Sequence, residues 1–136
     1  MKIHAFRLKP QDDVYNEIEK YVTAHSIKAG VILSAVGNIY TAVLRLSNEN
    51  IIKKYKNMKW GFEIVSVTGT VSTSRNHLHI SFSDDTAKTF GGHLQPGCIV
   101  RITAEIIIGE IPHMVFKRKY DKRSGFKELF VEKVDK

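Results

Sequence analysis

A single cysteine, three prolines and the lack of any long apolar run set the first limits on this 136-residue chain. One cysteine makes no internal disulfide, which excludes a disulfide-stapled secreted scaffold. Pro10, Pro96 and Pro112 lie too far apart to mark a Pro-rich linker. No apolar stretch approaches the roughly 18 residues that a membrane span needs. The N-terminal run Met1-Lys2-Ile3-His4-Ala5-Phe6-Arg7 has no apolar signal-peptide core. No repeat or low-complexity tract interrupts the sequence. Acidic residues are scarce relative to basic ones: 14 Asp plus Glu stand against 21 Lys plus Arg, a net charge of +7. The 43% hydrophobic content is ordinary for a globular chain and argues against intrinsic disorder. Together these limits predict a small soluble cytoplasmic domain with a basic surface, one compact unit over residues 2–132.

One helix is well signalled. Pro10-Gln11-Asp12-Asp13 supplies a start with acidic residues for the N-terminal dipole. Val14, Ile18, Tyr21 and Val22 then recur on one helical face. A short helical piece around Ile27 to Ala29 is a second expectation. The rest reads as strands: Val31 to Val36, ending at Gly37; Ile39 to Leu46, closed by Asn48-Glu49-Asn50; and Ile51 to Tyr55. Phe62 to Val71 is rich in β-branched residues. Cys98 to Ile108, Met114 to Lys119 and Lys127 to Val131 complete the set, the last two around a turn at Ser124-Gly125. One main N-terminal helix and about seven strands predict an α+β fold with a mostly antiparallel, curved, barrel-like sheet.

The sharpest chemical feature is His77-Leu78-His79, with His93 following in Gly91-Gly92-His93-Leu94. His77 to Ser83 alternates strictly, so Leu78, Ile80 and Phe82 take one face and His77, His79, Ser81 and Ser83 the other. Residues i and i+2 of a strand project together, about 7 Å apart. That spacing suits two imidazoles sharing one ion. His93, brought back by a Gly-Gly turn, would complete a three-nitrogen set with an open position, the pattern of catalytic rather than structural zinc. A solvent-facing histidine pair without a ligand fits the same spacing. Cys98, between Gly97 and a buried-looking strand, reads as a small core residue rather than a nucleophile.

These residues resemble the plant and prokaryote conserved (PPC) domain family, whose plant members carry AT-hook motifs. The resemblance runs from Phe6-Arg7-Leu8 through Gly30-Val31-Ile32-Leu33-Ser34-Ala35-Val36-Gly37 and Ala42-Val43-Leu44-Arg45 to Phe62–Val71. Its most specific part is His77-Leu78-His79-Ile80-Ser81-Phe82-Ser83-Asp84 with Gly91-Gly92-His93-Leu94, Gly97-Cys98-Ile99-Val100 and Thr103-Ala104-Glu105-Ile106. The resemblance implies a homotrimer of α+β subunits and a metal role for His77, His79 and His93. The fold it implies is similar to that of acetolactate decarboxylase, a zinc enzyme with an H-x-H pair and a later histidine. On that footing Glu63 is the best acidic candidate for acid/base work, and Glu105 the second. The chain departs from the family at Gln11 and at Asp85-Thr86-Ala87, turn positions where glycine is common, and at Arg101, commonly aliphatic or small. No Arg-Gly-Arg-Pro core of an AT-hook occurs.

Two basic clusters bear on partners. Lys53, Lys54, Lys56 and Lys59 interleave with Tyr55 and Trp60; Lys117, Arg118, Lys119, Lys122, Arg123 and Lys127 lie near Tyr120 and Phe126. Basic residues beside aromatics can contact phosphates and bases, and a solvated lysine-rich surface has the same composition. Base readout prefers Arg, Asn and Gln, so lysine excess points to non-specific, salt-dependent DNA contact at most. Two functions follow as expectations. One is a DNA-associated trimer with a three-histidine metal site at its side. The alternative is a zinc-dependent enzyme, lyase-like or hydrolytic, acting on a small molecule at that site. Histidines stabilising a subunit boundary are a third use of the same residues.

Overall fold

The computed structural model describes residues 1–135. Its elements are β1 (Lys2–Leu8), α1 (Val14–Ala24), β2 (Gly30–Arg45), β3 (Ile52–Lys56), β4 (Phe62–Val71), β5 (His77–Ser83), β6 (Thr89–Leu94), β7 (Ile99–Glu110), β8 (Met114–Asp121) and β9 (Phe126–Lys133). Seven strands form one antiparallel sheet in the order β1-β7-β2-β4-β5-β6, with β3 on β2; β8 and β9 pair as a separate hairpin. One helix beside a mostly antiparallel sheet is the expected α+β class.

The helix starts where its capping chemistry dictates. The Asp13 carboxylate accepts from the Asn16 amide at 3.0 Å, satisfying one free donor of the first turn. Its other oxygen accepts from the Gly97 amide at 2.7 Å, tying the helix start to the entry of β7. Val14, Ile18 and Val22 are buried, as the periodicity predicts. Ser26 adopts φ 51° and ends the helical path, so the short helical piece expected at Ile27–Ala29 does not form.

The longest strand departs from the sequence reading. Val31–Val36 and Ile39–Leu46 are not two strands but parts of one, β2. Gly37 lies inside it, at φ 156°, beside a register shift against β7. A Cβ there would meet the Thr103 carbonyl oxygen at 2.1 Å. The glycine therefore permits a close backbone approach at an irregularity instead of ending the strand. Length lets β2 serve two neighbours. Its first part pairs with β4, and Leu44 and Arg45 near its end pair with Leu94 and His93 of β6. The ladder β2-β4-β5-β6 thereby closes on itself, which curls the sheet.

The core fills the inside of this curl. Leu78, Ile80 and Phe82 of β5 are buried with Ile39, Leu44, Leu94, Ile106 and Ile108. Phe82 meets Phe62 at 5.1 Å, Tyr55 at 5.3 Å and Phe90 at 5.9 Å between ring centroids. This cluster anchors β5 in one register, because a slip of one residue would turn Phe82 out and the histidines in. Among the described residues, no helix is long and apolar enough to cross a membrane.

Candidate metal centre

His77 and His79 stand on the outer face of β5, opposite the buried Leu78 and Ile80, as alternation requires. His93 comes from β6, where it pairs directly with His79. The route differs from the expected one. Gly91 and Gly92 are not a turn: β6 runs straight through them, opposite Ser81 and Ile80. The chain reverses earlier, around Asp84–Ala87. There the Asp84 carboxylate accepts from the Thr86 amide at 2.8 Å, the Thr86 hydroxyl at 2.7 Å and the Lys88 amide at 3.0 Å. These bonds, the Thr86 hydroxyl's foremost, hold the exposed Asp84 carboxyl below its ordinary range.

The three rings converge. Centroids are 5.3 Å apart for His77 and His79, 5.1 Å for His77 and His93, and 5.4 Å for His79 and His93. One ring nitrogen from each lies within 4.8 Å of the others. The surroundings disfavour protonation of His77 and His93. Burial first, then Arg45, His77 and His79, hold His93 down to about 4. Burial, then Arg118, His79 and Arg75, lower His77. Neutral imidazoles at pH 7 are the form that ligates a metal. Three imidazoles with no carboxylate among them are a donor set that suits zinc and similar divalent ions.

The histidines sit in a cleft of about 630 Å³. Its walls include Arg45 from β2, Arg75 from the β4–β5 connection and Arg118 from β8, with Phe126, Lys127 and Glu128 from the start of β9. The Arg45 guanidinium donates to His93 Nδ1 at 3.3 Å. Arg118 donates to the Thr70 hydroxyl at 3.1 Å, joining the hairpin to β4. Sequence reasoning placed Arg118 in a surface cluster and did not single out Arg45 or Arg75 as site residues. Pairing of Arg45 with His93 depends on closure of the ladder, a contact between residues far apart in sequence.

The other candidates lie elsewhere. Glu63 pairs with Ser83 at the far end of the β4–β5 ladder from His77, and does not line the cleft. The carboxylates that do are Glu49 and Glu128. Glu105 lies on β7 opposite Arg7 of β1. Lys53, Lys54 and Lys56 are exposed along β3. The second basic cluster divides by strand parity: Lys117 pairs with Glu132 and Lys119 lies 3.4 Å over the Phe130 ring, while Arg118 turns inward. Cys98 is fully buried, and burial pushes its thiol up to about 12, so it is a core residue.

Residues 1–112 match the Plants and Prokaryotes Conserved (PCC) domain. The chain belongs to this family. Residues 1–112 contain all three histidines, Arg45 and Arg75, while the β8–β9 hairpin lies beyond the matched segment. The bifunctional protein GlmU of Synechococcus sp. (strain JA-3-3Ab) is 34% identical over 134 residues, covering 98% of this chain and 21% of GlmU. The chain thus spans about a fifth of the length of the curated relatives it matches. A hypothetical protein from Salmonella enterica superposes with a TM-score of 0.93 at 31% identity, over 97% of this chain and 94% of that one. A metal-containing protein of Archaeoglobus fulgidus has a TM-score of 0.74 at 26% identity, over 96% and 94%. A candidate DNA-binding protein of Bacteroides thetaiotaomicron has a TM-score of 0.83 at 20% identity, over 94% and 91%, a likeness of fold.

Proposed function

We propose that this PCC-domain chain is a metal protein whose ion, zinc by preference, is held by His77, His79 and His93 and acts on a small molecule. The observation that carries this reading is the convergence of three imidazoles in a cleft large enough for a small ligand. Three protein ligands leave a position open, where the ion supplies Lewis-acid polarisation of a carbonyl or activation of water. The chain's own contribution is to hold His77 and His93 neutral and to place a carboxylate nearby. Glu128 and Glu49 line the cleft and take the acid/base role ahead of Glu63. The Archaeoglobus relative, a metal-containing protein, supports the same reading.

The proposed assembly is a homotrimer. Leu33, Val36, Val65 and Ile102 are exposed on the sheet and offer an apolar surface for subunit contact. Elemental analysis of protein purified without an affinity tag, beside the His77→Ala variant, tests the metal. About one zinc per chain in the first and none in the second is the expected result; no metal in either overturns it. Light scattering tests the trimer, and a monomeric mass overturns it.

A second reading, cytoplasmic DNA association, is favoured by one observation: Lys53, Lys54 and Lys56 are all exposed on β3. With Lys117 and Lys119 on the hairpin they would give sequence-tolerant phosphate contacts, while Arg118 serves the cleft. Fluorescence anisotropy with duplex DNA across a salt series decides. Binding that weakens with salt and with Lys53, Lys54 and Lys56 changed to Gln supports this reading, and no binding at low salt removes it.

A further inference from the structure

The cleft above the histidines is markedly cationic. Arg45, Arg75, Arg118 and Lys127 line it, against Glu49 and Glu128 as the only carboxylates among the described residues. Among the described residues none of the three arginines is within ion-pair distance of a carboxylate. Three guanidiniums turned into one partly enclosed space repel one another unless something negative enters. Arg118 is held there by its bond to Thr70, at the cost of leaving the basic face that its neighbours Lys117 and Lys119 occupy. Guanidinium is the side chain that grips planar or tetrahedral oxyanions in a fork.

Arg45 adds a coupling. Its guanidinium only donates, so His93 Nδ1 accepts, and a neutral imidazole has a single lone-pair nitrogen. With Nδ1 accepting, Nε2 carries the proton. Ligation by His93 through either nitrogen uses that one lone pair and therefore ends the Arg45 bond. The guanidinium would then be free, still lining the cleft.

We propose that this cleft binds a small oxyanion, a carboxylate or a phosphate, gripped by Arg118 and Arg75, and that Arg45 joins the grip once His93 ligates the ion. The first part stands on the arginines alone, and the Arg45 part rests on the metal reading above. The substrate class of the site is then a small anionic molecule that presents one oxygen to the open position and its charge to the guanidiniums.

Calorimetric titration of the tag-free full chain tests this, with pyruvate and inorganic phosphate as probes. Each is titrated into cobalt(II)-loaded protein and into protein stripped with EDTA and desalted, for wild type, Arg45→Gln and Arg118→Gln. Thermal unfolding confirms that the variants fold, and elemental analysis that they keep the ion. One probe is expected to bind the loaded protein at least about tenfold tighter than the stripped protein. Arg118→Gln should weaken binding about tenfold in both states, and Arg45→Gln in the loaded state only. Preference for pyruvate or for phosphate separates the two sources of negative charge. No binding of either probe, or equal affinity in all three proteins, overturns the oxyanion site. Equal loss from Arg45→Gln in both states overturns the coupling. A chain that takes up no cobalt removes the metal reading, and the oxyanion site is then decided by the stripped protein and Arg118→Gln.

Discussion

His79 and His93 face each other directly across the β5–β6 ladder, in the same register that sets Phe82 opposite Phe90 on the buried face. The two pairs are linked by pleat geometry: burying the phenyl rings inside fixes both imidazoles outside. The three-histidine cluster is thus held in place by the core beneath it.

A core substitution should therefore be felt at the site. Phe82 is fully buried among Tyr55, Phe62 and Phe90, so Phe82→Ala leaves a cavity. Denaturant unfolding of the metal-free protein should show a loss of about 3–5 kcal/mol. Where the variant still folds, zinc affinity should fall with it, since β5 loses its anchor. An unchanged unfolding midpoint would refute the role given to this ring.

The histidines should also make the metal-free protein sensitive to acid. His93 titrates at about 4 when folded and at its ordinary value of 6.5 when unfolded. His77 is lowered in the same direction. Between those values the unfolded chain binds more protons, so the contribution to stability is fully present above about 6.5 and is lost as pH falls through 4. Thermal midpoints measured in EDTA should drop over this window, and less steeply for His93→Asn than for wild type. Parallel slopes for the two proteins would contradict the assignment.

Two turns carry backbone strain that glycine would relieve. Gln11 at φ 75° and Ala87 at φ 65° are both left-handed. They stand where the family resemblance leads one to expect glycine, and the structure shows why: a side chain at positive φ costs about 1–2 kcal/mol. Part of that gain is offset by the greater freedom of glycine in the unfolded chain. Ala87→Gly should raise stability by about 0.5 kcal/mol by chemical denaturation, and a loss would show that the turn is held by contacts of the Ala87 methyl.

Much of the fold is written in short-range pattern. The helix over Val14–Ala24 follows from acidic capping and an apolar period, and the hairpin at Ser124-Gly125 from turn residues between strand-forming runs. The parity that sends His77 and His79 to one face follows from alternation alone. Where local signals misled about the strands, a glycine was the reason. Gly37 and the Gly91-Gly92 pair look like breaks, yet each lies inside a strand, Gly37 because the neighbouring backbone comes too close for a Cβ.

The sequence by itself determined the α+β class and the family, and it singled out His77, His79 and His93, because periodicity, i, i+2 spacing and the family motifs are local properties of the chain. Tertiary structure alone decided that His93 stands opposite His79, that Arg45 reaches His93, and that Arg118 leaves a basic surface to line the cleft. Those contacts join residues from β2, β6 and the hairpin, and they arise because a 16-residue strand closes the ladder on itself. Closure is set by twist, register shifts and core packing summed over many strands, and no short segment of sequence carries that information.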